Sequence, residues 1–317
     1  MKIIQTSSLL MLLLTFNACQ PPRPCEDAVV CETYLHRYGV PLDPEDWSNR
    51  GRDGQVIETR KNGVVVTKSY ESGILHGECT YTFPHRDVIE KREIYEQGSL
   101  CQEYDCYING SPKRQLNHHS ESSYTVNEWY ESGAPKFNES YENQLLISGE
   151  YYNTANHVES TVENQNGTRT FYNDYGVLIS KDSIENGVLV SRTYFHPNGT
   201  PSVVEPYVNG IIEGERRTYL YGGEPSTIET WTNNQQQGVT YQYEHGEKVA
   251  EMPYVNGCKH GVERRYRDGS ILVQEFTWVK GQRQGPCYSY IGDVQTTDWY
   301  FGDRIVNKAT YDVLRSQ

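Results

Sequence analysis

The chain has 317 residues, with 29 Lys and Arg against 42 Asp and Glu, a net charge of −13. Charge of that sign repels phosphate backbones and anionic headgroups, which argues against nucleic acid and phosphoinositide partners. Apolar residues make up 36%, below the roughly 45–50% of ordinary globular chains, and 26 Tyr stand against 7 Phe. Tyr suits a sheet that is wet on one side, because its ring packs while its hydroxyl stays hydrated. The composition therefore excludes a single thick core and favours a thin, β-rich fold.

The N-terminus reads as an address. Lys2 precedes an apolar stretch from Ile3 to Leu14, too short for the roughly 20 residues that span a bilayer. A charged start, a short apolar run and small residues before a cut describe an export signal over 1–18. Ala18-Cys19 resembles a bacterial lipobox, which implies lipid attachment at Cys19. Acyl chains contribute about 0.8 kcal/mol per buried CH₂ and would hold the protein on a membrane. Gln20 rather than Asp follows the Cys; by resemblance to diderm lipoproteins this implies the outer membrane, with the leaflet left open. Residues 19–24, with Pro21, Pro22 and Pro24, read as an extended tether.

Residues 25–54 are expected to cap a repeat domain that fills 55–317. Ala28, Cys31, Leu35 and Tyr38 fall at helical spacing before Gly39 and Pro41, so a short helix over Glu26 to Arg37 is expected to cover the first sheet edge. Export permits disulfides. Of eight Cys, Cys25 with Cys31 and Cys101 with Cys106 are the close pairs, although spacing alone does not fix connectivity. There is no Cys-x-x-Cys pair, and no metal site is expected.

Beyond 55 the chain reads as a run of hairpins. Asn-Gly is the strongest short-range hairpin signal, since a type I′ turn needs positive φ at both central residues. It recurs at Asn62, Asn109, Asn166, Asn186, Asn198, Asn209 and Asn256. Ser72-Gly73, Gln97-Gly98, His245-Gly246 and Asp268-Gly269 take its place in phase, and Asn234 stands where a Gly is expected. Between turns the pattern alternates, as in Val239-Thr240-Tyr241-Gln242-Tyr243, which indicates half-buried strands. Tyr207, Trp231, Tyr254 and Trp278 open the same short phrase at steps of 24, 23 and 24 residues. A fixed period of that length marks a repeat array, here of roughly 10 or 11 units. From about Leu100 to Val203 the rhythm is weaker. Pro112, Pro135 and the polar run Asn117 to Ser123 lead us to expect longer loops there. The final segment, Trp299 to Leu314, is expected to close the far edge.

Tyr70…Gly73…Gly77…Tyr81, Tyr207…Gly210…Gly214…Tyr219 and Tyr254…Gly257…Gly261…Tyr266 resemble the MORN repeat. The likeness is to the bacterial variant of exported lipoproteins, sometimes described as an antitoxin component. The resemblance implies an all-β, elongated array of antiparallel β-hairpins with roles in scaffolding and protein contact.

Reactive chemistry is sparse. His76 and His260 both precede the second Gly of a repeat, which suits a consensus residue better than a ligand row. Glu78, Glu150 and Glu215 each follow a Gly, too regularly to form one catalytic pair. Arg216-Arg217 and Arg264-Arg265 read as solvated strand faces. No nucleophile elbow or phosphate-binding loop occurs, so the chain reads as a non-enzyme without cofactors. Tyr207, Trp231, Tyr254, Trp278 and Trp299 are expected to stack one repeat apart, either covering the sheet or contacting a partner. The leading expectation is a lipid-anchored envelope protein whose β-repeat sheet binds another protein or an envelope polymer. The alternatives are an envelope hydrolase or carbohydrate-active enzyme with an acidic groove, and an antitoxin-like inhibitor of a partner protein.

Overall fold

A computed structural model describes residues 28–316. The leader, Cys19, the tether and Cys25 lie outside the described residues. The rest forms one continuous antiparallel sheet of 29 strands. It is an open meander: each long strand pairs with the one before it and the one after it, from Val29–His36 against Gly54–Arg60 to Gln282–Ile291 against Val294–Phe301.

Local sequence sets the corners. Asn209 and Gly210 have φ of 51° and 79°, and Asn233 and Asn234 have 52° and 61°. These are the two left-handed residues a type I′ hairpin needs. After Tyr70, Tyr207, Trp231 and Tyr254 a two-residue strand follows the turn, whereas after Trp278 it is continuous with the long strand Gln282–Ile291. Ile211–Ile212 pairs with the end of Pro201–Val208. Gly214 then bends the chain into Gly214–Tyr219, which pairs with the same strand further back. Gly214 has φ +111°, and the equivalent Gly261 also has +111°. A Cβ on Gly261 would sit 3.2 Å from Pro253 Cγ, so this second Gly is both a left-handed corner and a close approach.

A short helix does stand at the first edge, but at different residues from those expected. Val29–His36 is a strand, because its Val, Thr and Tyr residues favour a pleated surface and Gly54–Arg60 offers a ladder. Helix α1, Pro44–Asn49, follows it, with Pro at its start and Asp43 accepting from the Asp46 amide at 2.7 Å. Trp47 of α1 is buried between Tyr34 and Tyr70, with ring centroids 5.7 and 6.1 Å away. At the far end α2, Lys308–Arg315, is capped by Asn307. Its Tyr311 packs on Trp299 at 4.9 Å. The segment expected to close the far edge thus holds a helix that packs on the strand Val294–Phe301.

The middle of the chain is as regular as the rest. Pro112 and Pro135 are the first residues of strands, where Pro withholds no ladder hydrogen bond. Asn143-Gln144 and Asn164-Gln165 make left-handed turns without any Gly. Asn166-Gly167, expected as a turn, instead opens the strand Asn166–Tyr172. This region also holds the main apolar cluster: Val126, Phe137, Leu146, Tyr151, Val162 and Ile184. Cys101 and Cys106 lie five positions apart on one extended strand and are free. At about 3.3 Å per residue, they are too far apart for a disulfide, which needs Cα atoms within roughly 7 Å. Cys31 is exposed and free.

Glycine substitutions separate two costs. Gly167→Ala would place Cβ 2.2 Å from the Thr161 carbonyl oxygen, whereas nothing lies within 4 Å of a Cβ on Gly210. Urea unfolding should show a loss of about 1–2 kcal/mol for Gly210→Ala, from left-handed strain alone, and a clearly larger loss for Gly167→Ala. Equal losses would contradict this account of the backbone.

Candidate functional site: a buried charge and aromatic ladder

Alternation places every second residue of each strand on one face, and antiparallel register sets those residues opposite one another. Along one face the sequence supplies alternating signs. Arg169 stands opposite Asp182, Asp182 opposite Arg192, Arg192 opposite Glu205, and Arg216 opposite Glu229. Asp182 is fully buried. It accepts from Arg169 at 2.7 and 3.2 Å and from Arg192 at 2.6 and 2.7 Å. Arg169 reaches on to Glu139 at 3.2 Å. Arg216 bridges Glu205 and Glu229, both at 2.9 Å. Further along, Glu263 is fully buried between Lys259 at 2.7 Å and Arg265 at 2.8 Å. Near the first edge, Lys68 bonds Glu58 and Lys91 bonds Glu93 at 2.6 Å.

The aromatic row belongs to this ladder. Tyr207 donates to Glu205 at 2.8 Å and Trp231 to Glu229 at 2.8 Å. Tyr95 and Tyr141 bond Glu93 and Glu139 in the same way, at 3.1 and 2.7 Å. Each donor lies two residues after its Glu, hence on the same face. Trp278 has Phe276 at that position, and its buried Nε1 has no hydrogen-bond partner. The expected ring-on-ring stacking does not occur: among the described residues no ring pair joins Tyr207, Trp231, Tyr254 and Trp278. Cations sit on the rings instead, Arg216 over Trp231 at 5.6 Å and Lys259 over Trp278 at 4.8 Å. Trp299 is not in the row. The residue opposite Gly285 is Tyr300, while Trp299 pairs with Pro286. Trp299 therefore turns to the other face, where Tyr311 covers it.

The remaining sequence candidates disperse. The paired arginines split, Arg216 and Arg265 joining the ladder while Arg217 and Arg264 bond Glu215 and Glu275 on the outer face. Arg217, Arg264 and Arg265 remain exposed, as expected of a solvated strand face, and only Arg216 is half-buried. His76 Nδ1 and His260 Nδ1 accept from the turn amides of Gln97 and Lys280, each at 3.4 Å. Glu213, Gln237 and Gln284 occupy the same place before their Gly and accept from Asn233, Asn256 and Gly302 at 2.8, 2.8 and 2.9 Å. The residue before the second Gly is thus a clamp on the next unit's hairpin, and the two His are its imidazole versions. Glu78, Glu150 and Glu215 lie apart on the outer face, bonded to Arg92, Tyr152 and Arg217. Among the described residues no three His, Cys, Asp or Glu side chains are grouped to hold a metal ion. A cleft of 460 Å³ at the first edge is lined by His36, Arg37, Asp53, Tyr70 and His76, and the Asp53 carboxylate there is taken by the Ser72 amide. Sequence reasoning missed the ladder; its signal was Glu two residues before Tyr or Trp, facing Arg one strand away.

No family model matches the chain, and no curated protein matches it. Among solved structures, Staphylococcus aureus TarM is 15% identical over 38% of this chain and 20% of its own, with a TM-score of 0.20. The Photorhabdus luminescens Tc holotoxin pore is 12% identical over 82% and 16%, with a TM-score of 0.19. A porin-like protein from Bacteroides uniformis is 10% identical over 77% and 89%, with a TM-score of 0.16. The chain spans about a fifth of the TarM length.

Breaking a buried pair costs far more than breaking an exposed one. Asp182→Ala should lose about 3–5 kcal/mol in urea unfolding, because Arg169 and Arg192 are left without their carboxylate. Glu215→Ala, whose exposed carboxylate faces exposed Arg217, should lose less than about 1 kcal/mol. Comparable losses would refute the ladder as a stabilising element.

Protonation gives a second check. Burial pushes the Glu93 and Glu263 carboxyls up, but hydrogen bonds outweigh it and hold both below their ordinary value; the donors are Lys91, Tyr81 and Tyr95 for Glu93, and Lys259 and Arg265 for Glu263. A lowered folded value stabilises above the ordinary carboxyl range, and that stability is lost as pH falls through the folded value. Burial and the adjacent Glu push Tyr95 and Tyr207 up to about 12. Their contribution is complete below about pH 10 and is lost as pH rises through about 12. The urea midpoint should be flat from about pH 6 to 9 and fall on both sides. A midpoint unchanged down to about pH 3 would contradict the carboxylate part.

Proposed function

We propose that this chain is a lipid-anchored envelope protein whose MORN-like β-repeat sheet is a scaffold for binding another protein or an envelope polymer. The observation that carries this reading is the spread of equivalent groups. The left-handed turn recurs along the array, the clamp before the second Gly recurs at five units, and the Glu with its aromatic donor at four. An enzyme gathers unlike reactive groups into one pocket, whereas a scaffold repeats like groups along a face. Attachment through Cys19 is part of the same reading and is supported by the lipobox-like sequence; the outer membrane is the expected address.

Recognition spread over a face is lost gradually. Crosslinking capture from intact envelopes should weaken in steps as outer-face positions of one, two and then three units are altered, beginning with Tyr241→Ala and Tyr288→Ala, which stand opposite Ile228 and Glu275 on that face. Loss of all capture on one substitution in a folded protein would point to a single convergent site and overturn the scaffold. Labelling by a palmitate analogue should vanish in Cys19→Ser; labelling that persists would overturn the anchor.

A further inference from the structure

The outer face changes character in the middle of the array. Near both ends it carries ion pairs, Arg92 with Glu78 at 2.7 Å and Arg264 with Glu275 at 3.1 Å. Between them, along the middle of the strands Ser99–Cys106, Pro112–His118, Ser123–Trp129 and Pro135–Glu142, two rows are neutral, with the charges Lys113, Lys136 and Glu142 confined to the strand ends. Register sets Tyr104, Gln115, Asn127 and Asn138 in one row. Gln102, Asn117, Thr125 and Ser140 form the next row. All eight are half-buried, and none carries a formal charge at neutral pH.

Side-chain bonds hold the rows in place. Gln115 donates to Tyr104 at 2.9 Å and to Asn117 at 2.8 Å. Asn117 donates to Thr125 at 3.1 Å, and Tyr104 donates to Gln102 at 2.9 Å. Beyond Asn138 the first row runs into a depression of 260 Å³ lined by Ser148, Glu150 and Thr161. The Tyr152 ring stands beside it, tied to Glu150.

The chemistry selects the occupant. An apolar partner would bury these amides and hydroxyls without partners, which costs free energy at each group. A polyanion meets no cation among these eight residues, and Arg92, which lies over the Tyr104 ring at 5.8 Å, is already paired with Glu78, on a chain of net charge −13. A neutral polyol satisfies both conditions, since each hydroxyl, like each amide, both donates and accepts. Strands repeat about every 4.8 Å, close to the advance of one sugar in an extended glycan.

We propose that the neutral amide face of these strands binds an extended, uncharged glycan, one sugar per strand, with Tyr104 and Tyr152 flanking the track. This deepens the scaffold reading above and rests on it, naming the envelope polymer.

The test is affinity electrophoresis of the full chain in detergent, in gels cast with hydroxyethylcellulose or with carboxymethylcellulose, the same backbone bearing anions. Hydroxyethylcellulose should retard the protein, and carboxymethylcellulose should not. Gln115→Ala with Asn127→Ala should weaken the apparent Kd about tenfold, the loss of two neutral hydrogen bonds. Asn127→Ala alone, whose side chain bonds no other, should weaken it by about threefold without moving the urea midpoint. Glu215→Ala with Arg217→Ala, on the same face outside the rows, should change nothing. Absence of retardation by hydroxyethylcellulose, stronger retardation by carboxymethylcellulose, or equal retardation of wild type and the row variants would each overturn the glycan assignment. Graded envelope capture that persists after such a result would leave the scaffold standing and point to a protein partner; loss of both would remove the scaffold as well.

Discussion

A sheet one layer thick has no second layer to close against. That constraint organises this molecule. Its covered face is sealed by a row of carboxylates and cations, each held between neighbours on adjoining strands, with Tyr and Trp rings laid beside them. Asp182 between Arg169 and Arg192, and Glu263 between Lys259 and Arg265, are fully buried although no helix or second sheet covers them. Long cationic side chains supply the cover, because their stems bury along apolar surface while their heads reach the carboxylate. Where the ladder gives way to apolar residues, around Phe137, Tyr151 and Val162, those residues take over the same task.

The arrangement makes each unit depend on the next. A carboxylate on one strand is satisfied by an arginine on its neighbour, and a side chain before the second Gly bonds the following turn. An isolated unit would lose the cross-strand bonds and the burial that offset the entropy cost of ordering its chain. The ends need different solutions. Trp47 of α1 covers the first edge and Tyr311 of α2 covers the last. The two helices lie on opposite faces, since Tyr34 and Tyr70 belong to the ladder face whereas Trp299 does not. The faces therefore divide the work. One is occupied by mutual neutralisation and holds the array together; the other is free to present repeated groups to a partner.

The sequence made the corners legible because corners have strict local chemistry. Asn209-Gly210 and Gly214 can be read without knowing what lies beside them. Asn143-Gln144 and Asn164-Gln165 adopt the same left-handed turns without the Gly signal, so the middle read as irregular. Val29 to His36 satisfied both a helical and a strand pattern, and the ladder offered by Gly54–Arg60 decided between them. The charge ladder was hidden because Arg and Glu in a strand ordinarily mean solvent. Only the cross-strand register turns Arg169, Asp182 and Arg192 into a row. Trp299 shows the limit of period alone: it keeps step with Trp278 to within a few residues, yet parity sends it to the other face and puts Tyr300 in the row. The neutral rows of Gln115 and Asn127 were invisible for the same reason, since nothing in a single strand distinguishes them from ordinary polar positions.

The central claim is that buried cross-strand ion pairs couple neighbouring units. A double-mutant cycle on Arg192→Ala and Asp182→Ala, read by urea unfolding, measures that coupling directly. The account predicts an interaction energy above about 1.5 kcal/mol, near the upper half of the range for residues sharing one network. Additivity of the two substitutions to within about 0.3 kcal/mol would contradict it.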